Sequence, residues 1–402
     1  MKLIVQKFGG SSVANAEHIL RAADIITDTY DKGNSVIVVV SAQGNTTDQL
    51  IAKAAEISDH PSSREMDVLL STGEQISMAL LAMAIEKKGY PVVSLAGWQA
   101  GFITESNHRN ARIIHIDTQR MKTELDKNNI VIVAGFQGID LFHNITTLGR
   151  GGSDTSAVAI AAFLGADKCE IYTDVDGVYS TDPRIVPNAR KLSEITYDEM
   201  LELASCGANV LHNRSVEIAK KYSINLEVRS SIHPETPGTQ IREICKSEKS
   251  LVKGVAIDHN ISRISVLSVP DNPGIAFKLF SSFAENNINV DLILQSVGFG
   301  GKKDISFTVS SDHLQEALAL TKVFRKSVDA GEVTYCDTVS KVSVVGSDML
   351  SNPGVAAKVF EILGENDINI SVISTSEIKI SVLVDEELSE KAVQVIHATL
   401  CL

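Results

Sequence analysis

Along the first 231 residues, short apolar runs alternate with longer amphipathic stretches. LIVQKF (from Leu3), VIVVVS (from Val36), PVVSLAG (from Pro91), IVIVAGF (from Ile130), EIYTDV (from Glu170) and NLEVRSS (from Asn225) are Val/Ile-rich and nearly continuous. Strands covered on both faces read this way, because neither face can be left to water. Between them lie segments of helical period: one from about Asn15, one in EMDVLLSTGEQISMALLAMAIEKKG (from Glu65) and one in GGSDTSAVAIAAFLGA (from Gly151). The alternation predicts an α/β domain over residues 1–245, a three-layer αβα sandwich with a mostly parallel sheet. The turn-rich SSIHPETPGTQI closes it, and the charged REICKSEKS reads as a linker.

Beyond the linker the chain repeats itself. NPGIAFKLFSSFAENNINVDLILQS (from Asn272) realigns onto NPGVAAKVFEILGENDINISVISTS (from Asn352). Each unit runs strand, Asn-Pro-Gly, helix, EN-x-IN and strand, predicting two small α+β (βαββαβ) modules at 262–338 and 339–402. The second copy stops after its last helix, at HATLCL, with no room for a sixth element. An unpaired sheet edge is costly, so the spare strand at 251–257 is expected to complete it.

Composition narrows the partners. A 402-residue chain that is 44% hydrophobic is long enough for two or three packed domains. Its net charge of -13 and pI near 5.3 argue against nucleic-acid or membrane surfaces as partners and require that an anionic substrate be met by a few placed cations. The five cysteines are scattered and lack a CxxC pair, which predicts reduced thiols and a cytoplasmic protein. No run of about 18 apolar residues stands out as a membrane span. The ten histidines have neither metal-ligand nor triad spacing, so no resident metal site is expected.

Five stretches carry candidate chemistry. In KFGGSS, Gly9 and Gly10 suit close approach of a phosphate to the backbone, with Lys7 on the strand side to neutralise it; a tight turn beside a surface lysine is the plain alternative. LGRGGSDTSAVAIA packs Arg150, Gly151, Gly152, Ser153 and Asp154 at a helix start. Arginine clamps a carboxylate through two bonds, while Asp154 is open to ordering Lys7 or a magnesium ion, and Ser153 or Asp154 to a simple helix cap. IYTDVDGVYSTDPRIV places Thr173, Asp174, Tyr179, Asp182 and Arg184 after a strand, as ligand contacts or as an acidic turn. Glu74, among apolar helical residues in STGEQIS, either pairs internally or receives a cationic group of a ligand. Ser41, Thr46 and Thr47 in VVSAQGNTTD are either donors to a ligand or turn formers.

In this order, KFGGSS, SAQGNTTD, STGEQIS, GFQG, LGRGGSD and YTDVDGVYSTDPR, followed by the two NPG repeats, resemble the aspartokinases of the amino acid kinase family over essentially the whole chain. The repeats are similar to ACT domains. The resemblance implies ATP-dependent phosphorylation of the β-carboxylate of L-aspartate to 4-phospho-L-aspartate, with Mg2+, as the first step toward lysine, threonine, methionine and diaminopimelate. It implies that Lys7, Asp154 and Arg150 are catalytic. Ser41, Thr47, Glu74, Arg150, Gly151, Gly152 and Ser153 would hold aspartate, Glu74 at its ammonium and Arg150 at its α-carboxylate. Lys7, Phe8, Gly9, Gly10, Thr173, Asp174, Tyr179, Asp182 and Arg184 would frame ATP.

For the repeats it implies inhibitor sites formed by Asp271, Asn289, Val290, Asp291 and Gln295, and by Asn369, Ile370, Ser376 and Glu377, which would take lysine, threonine or both, in a homodimer or larger assembly. Asn209 and Asn213 stand where the family often has Lys and Pro, with Arg214 nearby to compensate, and Gln43 and Asn45 depart from the family's Met and Lys. The absence of a methionine near residues 249–254 suggests a single product without a separate regulatory chain. Two rivals remain at this point: a kinase for another acceptor such as carbamate, acetylglutamate or a nucleotide monophosphate, and an amino-acid sensor with an inactive kinase half.

Overall fold

The computed structural model describes residues 1–207, 210–245, 251–298, 300–347, 349, 352 and 354–401. Asn209, most of the linker and Pro353 of the second NPG therefore lie outside the described residues. The chain forms two compact units, one holding Met1–Tyr179, Arg190–Ala204 and the segment from 210 through 245, the other holding Ser180–Ala189, residues 205–207 and the repeats. The block expected over 1–245 is thus interrupted twice: residues 180–189 and 205–207 from its interior group with the C-terminal part.

In the first unit the elements run β1 (Leu3–Phe8), α1 (Ala16–Asp31), β2 (Ser35–Val40), α2 (Thr46–Ala55), α3 (Ser63–Lys87), β3 (Val92–Leu95), β4 (Phe102–Thr104), β5 (Ile113–Ile116), α4 (Gln119–Asp126), β6 (Ile130–Ala134), β7 (Gln137–Ile139) and β8 (Ile145–Thr147). They continue with α5 (Gly152–Leu164), β9 (Lys168–Thr173), β10 (Glu194–Thr196), α6 (Tyr197–Ser205), α7 (Asn213–Lys221), β11 (Leu226–Ser230) and β12 (Thr239–Arg242). The main sheet has the order β10-β12-β11-β9-β1-β2-β6-β3, with β11 and β12 its one antiparallel neighbour pair. Its middle strands are β9 and β1, and the neighbouring β2 and β6 are the Val/Ile runs, buried on both faces. Gln6, Glu170, Lys168 and Arg229 lock β1, β9 and β11 together: Gln6 donates to Glu170 (3.0 Å), and Lys168 (3.0 Å) and Arg229 (3.1 Å) pair with it. Burial opposes ionisation of Glu170, but these cations and the amide outweigh it and hold its carboxyl below the usual range.

A second sheet, of order β5-β4-β7-β8, is built from strands of three or four residues. The helix α3 is long and apolar enough, by length and composition, to cross a bilayer, which the sequence reading did not register. Its buried positions include Met66, Leu70, Leu81 and Ile85 together with Asp67 and Glu74, and these two carboxyl groups hold the loops described below.

The second unit contains β13 (Gly254–Asp258), β14 (Ser262–Pro270), α8 (Ile275–Glu285), β15 (Val290–Gln295), β16 (Lys302–Val309), α9 (Leu314–Val328), β17 (Val333–Cys336), β18 (Val339–Val345), α10 (Val355–Glu365), β19 (Val372–Thr375), β20 (Lys379–Asp385) and α11 (Glu386–Leu400). The first repeat folds as the antiparallel sheet β15-β16-β14-β17 and the second as β13-β18-β20-β19. The edge of the second sheet is β13, paired with β18 from Gly254 opposite Val345 to Asp258 opposite Lys341. Each repeat has its own apolar core, and Ile261, Leu292, Val339, Val372 and Leu383 join them.

Candidate active site

The carboxyl ends of the parallel strands β1, β2 and β9 carry Lys7 to Gly10, Ser41, and Thr173 and Asp174, as open α/β sheets arrange their ligands. Lys7 is the penultimate residue of β1, and its Nζ lies 2.6 Å from Asp154 Oδ1 in the first turn of α5, both side chains about nine-tenths buried. The Gly9 N–H bonds the Tyr172 carbonyl (3.1 Å), and Phe8 stacks on Tyr172 with ring centroids 4.8 Å apart. A β-carbon on Gly10 would lie 2.8 Å from the Ala42 carbonyl oxygen, so only glycine lets the turn after β1 meet the loop after β2.

Glu74 reaches that loop from α3. Gly73 allows it, since a β-carbon there would come within 2.8 Å of the Ala42 side chain. Glu74 Oε1 accepts the Ala42 N–H at 3.1 Å, while Oε2 is enclosed with no hydrogen-bond partner among the described residues. Burial drives the carboxyl up to about 8 against the opposing Ala42 bond. An enclosed carboxylate oxygen with nothing to accept calls for a cation. Ser41 adjoins Ala42, and Thr47 stands in the first turn of α2. The hydroxyl of Thr46 donates to the Gln43 carbonyl (2.6 Å), so Thr46 builds the turn.

The Leu148–Gly152 turn is held from two sides. Asp67, fully buried on α3, accepts from Thr147 Oγ1 (2.6 Å) and the Arg109 N–H (3.1 Å) and bonds His108 Nδ1 (2.7 Å). Arg214 donates to the carbonyls of Leu148 (3.0 Å) and Ala111 (2.9 Å). The guanidinium expected to compensate at a nucleotide contact is therefore engaged in bracing this turn. Gly151 sits at φ 66°, and a β-carbon there would strike the His212 ring, whose pKa burial lowers. Arg150 projects from the turn into solvent, while Gly152, Ser153 and Asp154 are buried at the start of α5. Asp67, His108, Arg109 and His212 carry no motif in the sequence and were missed.

The nucleotide residues divide. Thr173, Asp174 and Tyr179 lie in the first unit, with Thr173 Oγ1 on Asp174 (3.0 Å) and the Tyr179 hydroxyl on Asp176 (2.8 Å). Asp182 and Arg184 lie in the second unit, where the Arg184 guanidinium grips the Asp182 carboxylate (Nη2 to Oδ2 2.6 Å, Nε to Oδ1 3.0 Å).

Of the residues expected to bind an inhibitor, Asn289, Asp291, Gln295, Asn369 and Glu377 are exposed, and Val290, Ile370 and Ser376 are half-buried. Two of the carboxylates already hold lysines of the chain: Asp271 pairs with Lys303 (2.9 Å), and Asp291 with the buried Lys341, which also faces Asp258 (3.7 Å).

A parallel sheet between helices, glycine turns beside a paired lysine, and two βαββαβ repeats define an amino acid kinase fused to ACT domains. The family model described as amino acid kinase family matches residues 2–230, and that described as ACT domain matches 264–323 and 342–400. An aspartokinase of Bacillus sp. (strain MGA3) is 51% identical over 398 residues, 99% of this chain and 97% of that one. E. coli aspartokinase III in complex with aspartate and ADP (R-state) is 26% identical, with full coverage of both chains (100% each) and a TM-score of 0.84. The same enzyme in complex with lysine and aspartate (T-state) aligns at 26% identity, again over 100% of each chain, with a TM-score of 0.75. The chain belongs to the aspartokinases of the amino acid kinase family.

Proposed function

We propose that this aspartate kinase transfers the γ-phosphoryl group of ATP to the β-carboxylate of L-aspartate, giving 4-phospho-L-aspartate and ADP. A substrate carboxylate oxygen forms the new bond to phosphorus as the bond to the β,γ-bridging oxygen breaks. No enzyme nucleophile is needed, so cations and positioning carry the catalysis. The observation that carries the reading is Glu74: its enclosed, unpartnered oxygen beside Ser41 and Ala42 suits the ammonium of an amino-acid acceptor. Arg150, exposed on its braced turn, takes the α-carboxylate. Lys7 neutralises the transferring oxygens, and Asp154 holds its ammonium in place.

ATP brings Mg2+, which neutralises phosphate charge. Asp154, the carboxylate paired with Lys7, would be the residue to hold the ion together with phosphate oxygens, since magnesium needs only one or two protein carboxylates beside a nucleotide. The enzyme would act in the cytoplasm, and its product would feed lysine, threonine, methionine and diaminopimelate synthesis. The ACT repeats would form a homodimer or larger assembly that answers to lysine, threonine or both. Support for lysine comes from the E. coli enzyme's complex with lysine and aspartate.

Replacing Lys7 with Ala tests the mechanism. Aspartyl phosphate formation should fall roughly a hundred- to thousandfold, as when one electrostatic group is removed from a phosphoryl or oxyanion site, with inhibitor binding by calorimetry unchanged. Full activity would take Lys7 out of the mechanism.

A further inference from the structure

The turn with Asp182 and Arg184 sits on the C-terminal helix. Ser180, fully buried, places its hydroxyl 2.8 Å from Nε2 of the buried His397 on α11, and its carbonyl accepts the Val255 N–H of β13 at 2.7 Å. Three residues further along α11's exposed rim, counting back, Gln394 Nε2 donates to the Ile185 carbonyl at 3.1 Å. Val186 enters the second repeat's core beside Val393, Ile396 and Val255, with Ile185 and Ala189 packed on its edge. Between these anchors the Ile185 and Val186 N–H groups bond the Asp182 carbonyl (3.0 Å each), closing a turn that leaves the Arg184 side chain 90% exposed. The turn is pinned before and after its charged pair by groups of the second ACT repeat. A buried histidine packed beside apolar side chains needs a polar partner, and the Ser180 hydroxyl supplies one.

We propose that His397 and Gln394 are positioning residues for nucleotide binding: through Ser180 and Ile185, α11 sets the conformation of the Asp182–Arg184 turn and with it the affinity for ATP. This rests on the reading above that Asp182 and Arg184 contact the nucleotide.

Steady-state kinetics on the full-length enzyme test it with four variants. Gln394→Glu sets a carboxylate against the Ile185 carbonyl, His397→Ala removes the partner of Ser180, and His397→Gln restores an amide able to reach it. The first two should raise KM for ATP about fivefold, the worth of one ordinary hydrogen bond, with kcat and KM for aspartate within about twofold. His397→Gln should return KM for ATP to within about twofold of the parent. The fourth variant, Arg184→Ala, separates the two readings. If it leaves KM for ATP unchanged, the turn does not contact nucleotide and both readings fall. If it raises KM for ATP while Gln394→Glu and His397→Gln behave like the parent and His397→Ala only lowers the melting temperature, α11 is structural and the proposal alone falls. A parallel rise in KM for aspartate also overturns it. Gln394 lies at the rim of the core, so its variant carries the test should His397→Ala fail to fold.

Discussion

Glu74 concentrates the electrostatic tension of the site in one side chain. Its carboxyl titrates near 8 in the folded chain against roughly 4.5 when unfolded. The folded state therefore binds the proton more tightly, and between these values stability falls as pH rises, because the unfolded carboxyl ionises freely while the folded one resists. A bound ammonium reverses the preference and draws the proton off. Aspartate binding at pH 7, measured by calorimetry in buffers of different ionisation enthalpy, should release close to one proton per site. Glu74→Gln should abolish that release and flatten the loss of melting temperature between about pH 5 and 8. It should also raise KM for aspartate roughly ten- to hundredfold, the worth of a hydrogen bond to a charged group, with KM for ATP unchanged. Proton release that persists in the variant would move the ammonium site elsewhere.

At the scale of elements, α3 ties the groups proposed to hold aspartate to one another. Asp67 and Glu74 lie two helical turns apart on its buried face, one bracing the turn that leads to Arg150 and the other facing the Ser41 loop. Asp67→Asn keeps the shape but presents an amide N–H₂ to groups that themselves donate. It should cost about 1–3 kcal/mol of stability and lower kcat/KM for aspartate about tenfold more than that for ATP, as read by thermal unfolding and kinetics. The Val/Ile runs and the NPG repeats made the αβα sheet and the ACT modules legible, because continuous burial and a repeated phrase are local signals. The sheet β5-β4-β7-β8 was not, since strands such as Phe102–Thr104 are too short to show a period. Nor did the sequence show Asp67 as a hub, because one acid in an amphipathic helix reads like any other. The packing of Ser180–Ala189 on α11 was hidden for a different reason: its partners come about 200 residues later, and Val186 and Ser180 carry no pattern of their own.

At the scale of the whole molecule, the question is how an amino acid competes for carboxylates the chain already fills. Asp291, on β15 of the first repeat, holds the ammonium of Lys341, on β18 of the second, and the same ammonium faces Asp258 on β13. With Ile261, Leu292, Val339, Val372 and Leu383 packed beside it, this ion pair spans the seam that joins the two repeats. A ligand ammonium arriving at Asp291 must displace Lys341 or share the carboxylate, and either one weakens a bond across the seam. Regulation by binding would require the ligand to favour an arrangement without this ion pair over the one with it. Lys341→Met keeps most of the side chain's volume but removes the competing charge. The lysine concentration that halves activity should then fall about tenfold, the gain from freeing one charge-assisted bond. Titrations of the parent and variant with lysine, threonine and both together would read this directly. An unchanged or higher half-inhibitory concentration for every combination would show that the inhibitor's ammonium does not bind at Asp291.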